Sequence, residues 1–284
     1  MTDIKTNFSA GMASKSDDGD GGQIVQRWHG YCVFFGTIGF FYFLNFIITK
    51  IGNPKSVHSD VDPWRWKNLF ISWFHALIVG TWDILCLVLY TELLDDLVDY
   101  NNYFIYLMIP FSTGYFVYDS IDMILNNMLL KNWELTLHHI SVISMFWYNF
   151  HARICIGYNV VALMAEINSF FLHTRKLLQM CQVSFHSRLY KGVSYLNLIT
   201  FVLCRKTSVG RIFYGMFTEH ERVPTVYFAV LIFSMIVMAV INVVLFWRLF
   251  QTDVLRTFEK VIEDKTVKVI NVNGNNNKNH IKSD

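Results

Sequence analysis

The sequence predicts an all-α polytopic membrane protein with about seven transmembrane helices. The chain is 53% hydrophobic and only 16% charged, whereas soluble domains carry about 25% charged residues. Its apolar runs approach or exceed the roughly 20 residues that span a bilayer core. None of these runs shows the alternating pattern of a β-barrel strand. Because only helices and closed barrels satisfy the backbone within lipid, the runs are predicted to be helices.

The predicted elements begin after a polar N-terminal tail. Residues 1–28 are rich in Asp, Gly, Ser and Lys and are predicted to be disordered. The first apolar run, 29–50, begins too far from the start for a signal peptide and is predicted to remain as a transmembrane anchor. The Asn- and Lys-rich end, 256–284, is predicted to be disordered as well. The seven predicted spans are 29–49, 68–90, 102–125, 135–152, 154–174, 193–217 and 225–250.

The distribution of Lys and Arg predicts the orientation of the chain. The first, third and fifth loops and the C-terminal tail carry most of the basic residues, whereas the second loop carries four acidic residues and no basic one. Because basic loops stay in the cytosol, the C-terminus is predicted to be cytosolic and the N-terminus to lie outside. Arg222 in the sixth loop is the exception. Asn7, in the sequon Asn7-Phe8-Ser9, is then a candidate glycosylation site.

Composition also excludes several classes of function. The net charge of +2 is too small for a nucleic-acid-binding protein, and no basic helix with exposed aromatic residues is present. The five cysteines show no CxxC spacing, so neither a disulfide scaffold nor a zinc site is predicted. No metal ion and no resident cofactor is therefore expected.

Polar residues recur at helical spacing inside four of the predicted spans. A charged side chain at the bilayer centre costs about 2.5–3.5 kcal/mol on insertion scales, so such residues are candidates for function. Residues three or four apart share one helix face, and each polar stripe is predicted to face the interior of the bundle. The stripes are Asn68, Ser72 and His75; Tyr115, Asp119, Asp122 and Asn126; Glu166, Ser169 and His173; and Ser194, Asn197 and Arg205.

Two adjacent histidines open the fourth span. The side chains of His138 and His139 diverge by about 100° on a helix, so they cannot bind one metal ion together. One is predicted to face a central cavity and the other an adjacent helix, while Glu134 lies four residues before His138 and can contact it.

The stripes and the histidine pair leave two interpretations open. In the first, they form a polar intramembrane chamber that holds a lipid head group, or that catalyses acyl transfer with a histidine beside a carboxylate. In the second, Asp119 or Glu166 pairs with Arg205 and only joins helices.

These motifs resemble the TLC-domain family over about residues 60–255. They are similar in particular to its small plasma-membrane members, which regulate membrane fluidity. The resemblance implies a bundle of six spans after the separate anchor helix. The matching residues are Trp64-Arg65-Trp66-Lys67-Asn68 with Ser72 and His75; Gly114-Tyr115-Phe116 with Asp119 and Asp122; Trp133-Glu134 with His138-His139; Glu166 with Phe171-Leu172 and Arg175; and Tyr195-Leu196-Asn197 with Arg205.

The resemblance implies a role in phospholipid composition at the plasma membrane, with the endoplasmic reticulum as the alternative location. Members of this branch limit the incorporation of long-chain polyunsaturated fatty acids into phospholipids, so membrane phospholipids or acyl lipids are the expected partners. The family also includes the ceramide synthases, whose paired histidines match His138 and His139. Their two aspartates on the following span fall here on Glu166 and Ser169, which removes one carboxylate.

Two alternatives therefore accompany the regulatory role. One is an acyl-CoA-dependent lipid acyltransferase that uses His138, His139 and Glu166, with acyl-CoA as a substrate. The other is a lipid-binding carrier or adaptor.

The orientation is tested with epitope tags at the two ends of the chain. Because basic loops are retained in the cytosol, a C-terminal tag should bind antibody only after permeabilisation, whereas an N-terminal tag should be accessible on intact cells. A C-terminal tag that stains on intact cells would contradict the orientation.

Overall fold

The computed structural model of the chain describes residues 26–252, and every described secondary-structure element is helical. The predicted disordered tails lie almost wholly outside these residues, as does Asn7. Helix α1 begins at Arg27, two residues before the predicted span. The main helices are α1 (Arg27–Ile51), α2 (Pro63–Leu89), α3 (Tyr103–Leu125), α4 (Trp133–Ala152), α5 (Ile156–Met180), α6 (Arg188–Thr200), α7 (Thr207–Thr218) and α8 (Thr225–Phe250).

A π-helical segment, Phe201–Lys206, joins α6 to α7 without a break. Its flanking residues Thr200 and Thr207 both keep right-handed helical backbone angles, so α6, the π segment and α7 form one continuous helix. The described chain thus contains seven long helices, as the hydropathy pattern predicts. Single π turns occur often at functional sites, and this one carries Arg205.

Three of the seven helices are long and apolar enough to cross a membrane by length and composition, namely α1, α2 and α8. Helices α4 and α5 have a lower mean hydropathy because they carry histidines, carboxylates and amides among their apolar residues. Many of these polar side chains are buried in the bundle, including His139, Asn149, Glu166 and Asn168.

The two ends of the bundle are held by contacts between alternate loops. At the end that we call the inner end, the backbone N–H of His58 in the first loop donates to Met180 O at the end of α5 (3.1 Å). At the opposite, outer end, the N–H of Cys155 donates to Val98 O (2.7 Å), which joins the second and fourth loops. Consecutive helices therefore run in opposite directions, as the predicted topology requires.

Helix α1, the predicted transmembrane anchor, packs closely along α3. A Cβ atom at Gly114 would lie only 2.6 Å from Phe34 O and 3.0 Å from Thr37 Cβ, so the glycine allows the two backbones to approach. Asn45 of α1 also donates to Tyr118 Oη (2.6 Å) and to Asp122 Oδ1 (3.1 Å) on α3. The first helix is thus an integral part of the bundle.

Arg222, the exception to the charge pattern, joins two loops at the outer end. Its Nη2 donates to Asp96 Oδ2 (2.8 Å) and to Asp99 Oδ2 (2.5 Å), both in the second loop. The hydrogen bond from Arg222 holds the pKa of Asp96 below its usual range, and the two aspartates hold the pKa of Arg222 above its usual range. The positive charge of Arg222 is therefore neutralised by Asp96 and Asp99.

Replacement of Gly114 tests the packing of α1 on α3. Gly114→Ala places a Cβ against the backbone of α1, and the resulting overpacking should lower the free energy of unfolding by about 1–3 kcal/mol. Thermal unfolding in detergent micelles measures this effect. Gly36→Ala is the matched control, because a Cβ at Gly36 meets no atom within 4 Å. Equal unfolding temperatures for the two variants would contradict the close approach.

Arg222→Gln tests the pH dependence of the contact at the outer end. The pKa of Asp96 is lower in the folded state than the value of about 3.9 in an unfolded chain, so the contact stabilises the fold above that pH. Its contribution is lost as the pH falls through the lowered value. Because both side chains are more than one-third exposed, we expect a loss of at most about 1 kcal/mol near pH 6. The difference from the unaltered protein should shrink toward pH 3 in thermal unfolding, and a difference that grows would contradict this assignment.

Candidate functional site

The inner half of the bundle contains a buried histidine–carboxylate pair. Asp119 on α3 is 1% exposed, and His139 on α4 is 3% exposed. His139 Nε2 lies 3.5 Å from Asp119 Oδ2, while Asn68 Nδ2 on α2 donates to Asp119 Oδ1 (2.5 Å). Two helices, α2 and α4, therefore contribute one polar side chain each to this carboxylate of α3. The amide and the imidazole replace the water that a carboxylate otherwise requires.

One turn closer to the inner end, Asp122 receives two further donors. Trp64 Nε1 on α2 donates to Asp122 Oδ2 (2.7 Å), and Asn45 Nδ2 on α1 donates to Oδ1 (3.1 Å). Asn126, the last residue of the predicted stripe, is exposed at the end of α3 and donates to the Asp122 backbone carbonyl (2.7 Å). The predicted stripe is thus confirmed as an interior face from Tyr115 to Asp122, and it ends at the surface.

A second histidine–carboxylate pair lies near the middle of the bundle. His75 Nδ1 on α2 lies 3.7 Å from Glu166 Oε2 on α5, and the histidine is 1% exposed. The imidazole stacks on the ring of Tyr115 with 3.7 Å between the ring centroids. Tyr115 Oη donates to Ser72 Oγ (2.9 Å), which donates in turn to the carbonyl of Asn68 (2.9 Å). Stacking and hydrogen bonds thus connect this pair to Asp119.

Arg205 joins three helices through neutral acceptors. Its Nε donates to Asn168 Oδ1 (2.6 Å) and its Nη2 to Ser169 Oγ (3.0 Å), both on α5. Its Nη1 donates to Asn242 Oδ1 on α8 (3.1 Å). Among residues 26–252, Arg205 forms no direct ion pair with Asp119 or Glu166, but the buried Glu166 carboxylate interacts with it electrostatically. Ser169 occupies the position of the second aspartate of the ceramide synthases, and it provides a hydroxyl acceptor instead of a carboxylate.

The two adjacent histidines face different neighbours, as the helix geometry predicts. His139 faces Asp119, whereas His138 Nδ1 lies 3.1 Å from the sulfur of Met238 on α8. Glu134, which can reach His138 by spacing, instead forms two hydrogen bonds of 2.8 Å with Arg248 at the end of α8. Within residues 26–252 no group of three or more His, Cys, Asp or Glu residues is arranged to hold a metal ion.

An apolar cavity lies between α4, α5, α7 and α8 beside these clusters. It is lined on α8 from Tyr227 to Asn242, about 22 Å along the axis at 1.5 Å per residue. Its cavity volume is about 110 Å³, and the cavity is partly open to the surroundings. Four methionines are among its walls: Met145, Met216, Met235 and Met238.

The deep end of the cavity meets the polar clusters. Arg205 and Asn242 line it there, and so does Met238, which contacts His138. At the outer end the lining includes Glu219 and His220. The arrangement can therefore hold an elongated apolar molecule with one end beside a buried cation and a histidine.

The structure also shows polar residues that the stripes did not include. Asn45 and Asn242 are single amides within long apolar runs, which is the signal by which they could have been found. Asn168 is fully buried and lies one residue from the predicted stripe on α5. Asp83 on α2 is 0% exposed, and neither of its carboxylate oxygens has a hydrogen-bond partner within the described residues.

Comparison with known proteins identifies the family. The family model described as the TLC domain matches residues 65–251, from the start of α2 to the end of α8. The chain is 31% identical over 220 residues to TLC domain-containing protein 2 of Danio rerio, covering 78% of this chain and 88% of that protein. It is 29% identical over 214 residues to the human TLC domain-containing protein 2, covering 75% and 80%. It is 30% identical over 155 residues to TLC domain-containing protein 1 of Mus musculus, covering 54% and 62%. The chain is a membrane protein that belongs to the TLC-domain family.

Proposed function

We propose that this protein regulates membrane phospholipid composition and fluidity by limiting the incorporation of long-chain polyunsaturated fatty acids into phospholipids. The observation that carries the proposal is the apolar cavity whose deep end lies at Arg205, next to the buried histidines and carboxylates. A protein that selects among acyl lipids needs a space for the apolar chain and fixed polar groups that orient its end.

The walls of the cavity suit chains that are bent by cis double bonds. Methionine side chains are unbranched and have three rotatable bonds, so they adapt to irregular shapes better than branched residues do. The methionines of the cavity come from α4, α7 and α8, which surround its length. Polar residues take up little of this surface, and they are concentrated at the two ends.

We propose further that all seven long helices cross the membrane, six of them as the TLC bundle. Helices α3 to α7 turn buried polar groups such as Asp119, Glu166 and Arg205 toward one another, which removes them from lipid. Large apolar side chains such as Ile140 and Leu203 are exposed on the outside of the bundle. The plasma membrane is the proposed location on the basis of the resemblance, with the endoplasmic reticulum as the alternative.

A second candidate function, an acyl-CoA-dependent lipid acyltransferase, is favoured by the two histidine–carboxylate pairs. A carboxylate that orients an imidazole is the arrangement that general bases and nucleophiles require. His139 is paired with Asp119, but His138 is the histidine that contacts a cavity-lining residue. In this alternative His138 acts on the acyl group, while His139 and Glu166 position their neighbours.

Lipid analysis of cells without the protein tests the proposed role. When polyunsaturated fatty acids are supplied, deletion should raise their share in phosphatidylethanolamine and phosphatidylcholine, because the selecting protein is absent. Re-expression of the unaltered protein should reverse the change, and mass spectrometry of phospholipids measures it. An unchanged phospholipid profile under this supply would contradict the proposal.

Histidine variants in the same cells separate the two candidate functions. If the protein is an enzyme, His138→Ala or His139→Ala should abolish the rescue at unchanged abundance, since loss of a general base lowers rates by roughly 10²–10⁴-fold. A regulator, carrier or adaptor without catalysis should tolerate at least the change at His138. His186→Ala is the matched control, because His186 is an exposed loop residue outside the clusters.

A further inference from the structure

Arg205 is a buried cation whose hydrogen bonds leave part of its binding capacity unused. A guanidinium has five N–H donors, and three of them are directed to Asn168, Ser169 and Asn242. These three acceptors are all neutral, and the residue is 9% exposed. The buried carboxylate of Glu166 interacts electrostatically with the guanidinium but forms no direct ion pair with it. Two N–H donors of Arg205 therefore remain without an acceptor among the described residues.

Arg205 also lines the cavity. Arg205 is the only Lys or Arg among the residues that line it within the described part of the chain. Between Arg205 and the outer end of the cavity, the walls consist mainly of Val, Ile, Leu, Met and Phe side chains. A ligand that satisfies Arg205 must therefore combine one anionic group with a long apolar body.

The apolar walls and Arg205 orient such a ligand. At the outer end, Glu219 already forms ion pairs with Arg211 (3.9 Å) and Arg222 (4.0 Å). An anionic group at the outer end would place an apolar methyl group against the guanidinium of Arg205. The ligand is therefore oriented with its anionic group beside Arg205 and its chain directed toward the outer end.

We infer that the cavity binds one unesterified long-chain fatty acid, with its carboxylate against Arg205 and its hydrocarbon chain between α4, α5, α7 and α8. A carboxylate accepts two parallel hydrogen bonds from a guanidinium, which matches the two donors that remain. The length of about 22 Å along α8 accommodates a long extended chain. The inference rests on the proposed role in acyl-lipid selection and names the ligand of its cavity. An ester-linked chain lacks the negative charge that would pair with Arg205.

Binding of tritiated oleate to the full-length protein in phosphatidylcholine nanodiscs tests the inference. Binding should be saturable, and unlabelled oleate should displace the label. Methyl oleate and lysophosphatidylcholine have apolar chains without a free carboxylate, so each should compete about tenfold or more weakly, the effect of losing one charge-assisted hydrogen bond. This comparison uses the unaltered protein and does not depend on the folding of a variant.

Two substitutions locate the bound fatty acid. Arg205→Gln should weaken oleate binding by about tenfold or more, since it removes the charge that the carboxylate requires. Ala162→Phe places a large ring in the cavity wall on α5 and should abolish binding. Val243→Phe is the matched control, because Val243 is 68% exposed on the outside of α8. The folding of each variant is checked by its thermal unfolding before binding is compared.

The possible results separate the inference from the proposed function. Equal competition by oleate and methyl oleate would overturn the role of the carboxylate, and undiminished binding to folded Ala162→Phe would overturn the location. Either result leaves the effect of deletion on phospholipids unaffected. Conversely, selective oleate binding without any change in phospholipids on deletion would support the site and contradict the regulatory role.

Discussion

Lipid offers no hydrogen bonds, so polar groups inside a helix bundle are stabilised by one another. Arg205 does this through hydrogen bonds to three side chains. The π-helical segment between α6 and α7 carries Arg205, and its guanidinium takes acceptors from α5 and α8. The same side chain ends the apolar cavity. Removal of the charge would leave buried amides without a donor, so the packing of these helices and the polarity of the cavity depend on one residue.

The same constraint explains the other side of the bundle. Asp119 and Asp122 on α3 take their donors from α1, α2 and α4. The buried carboxylates of α3 therefore depend on neighbouring helices for their polar partners. The first helix precedes the residues that match the TLC domain, yet Asn45 and the close approach at Gly114 join it to α3. The first helix therefore lies outside the matched TLC domain and packs against it.

The cavity and the histidines are separate features that meet at one point. His139 and His75 are enclosed with carboxylates in the packed interior, whereas His138 contacts the cavity wall through Met238. This separation is consistent with a structural role for the two histidine–carboxylate pairs. It is also consistent with a role for His138 beside the ligand. The proposed selection of acyl lipids requires the cavity and Arg205, and it does not require chemistry at the histidines.

The sequence by itself determined the number of long helices, the interior faces of the polar stripes and the divergence of His138 and His139, because all of these follow from hydropathy and from 3.6 residues per turn. It also determined the family, since the spaced motifs are local patterns. The sequence could not determine which stripes meet. Three features depend on how helices distant in the chain pack together. They are the hydrogen bonds of Arg205 to Asn168 and Asn242, the pairing of Glu134 with Arg248, and the cavity itself. Only the tertiary structure decided that Arg205 donates its hydrogen bonds to neutral acceptors. Side-chain packing across three helices determines whether an amide or a carboxylate lies within reach of the guanidinium.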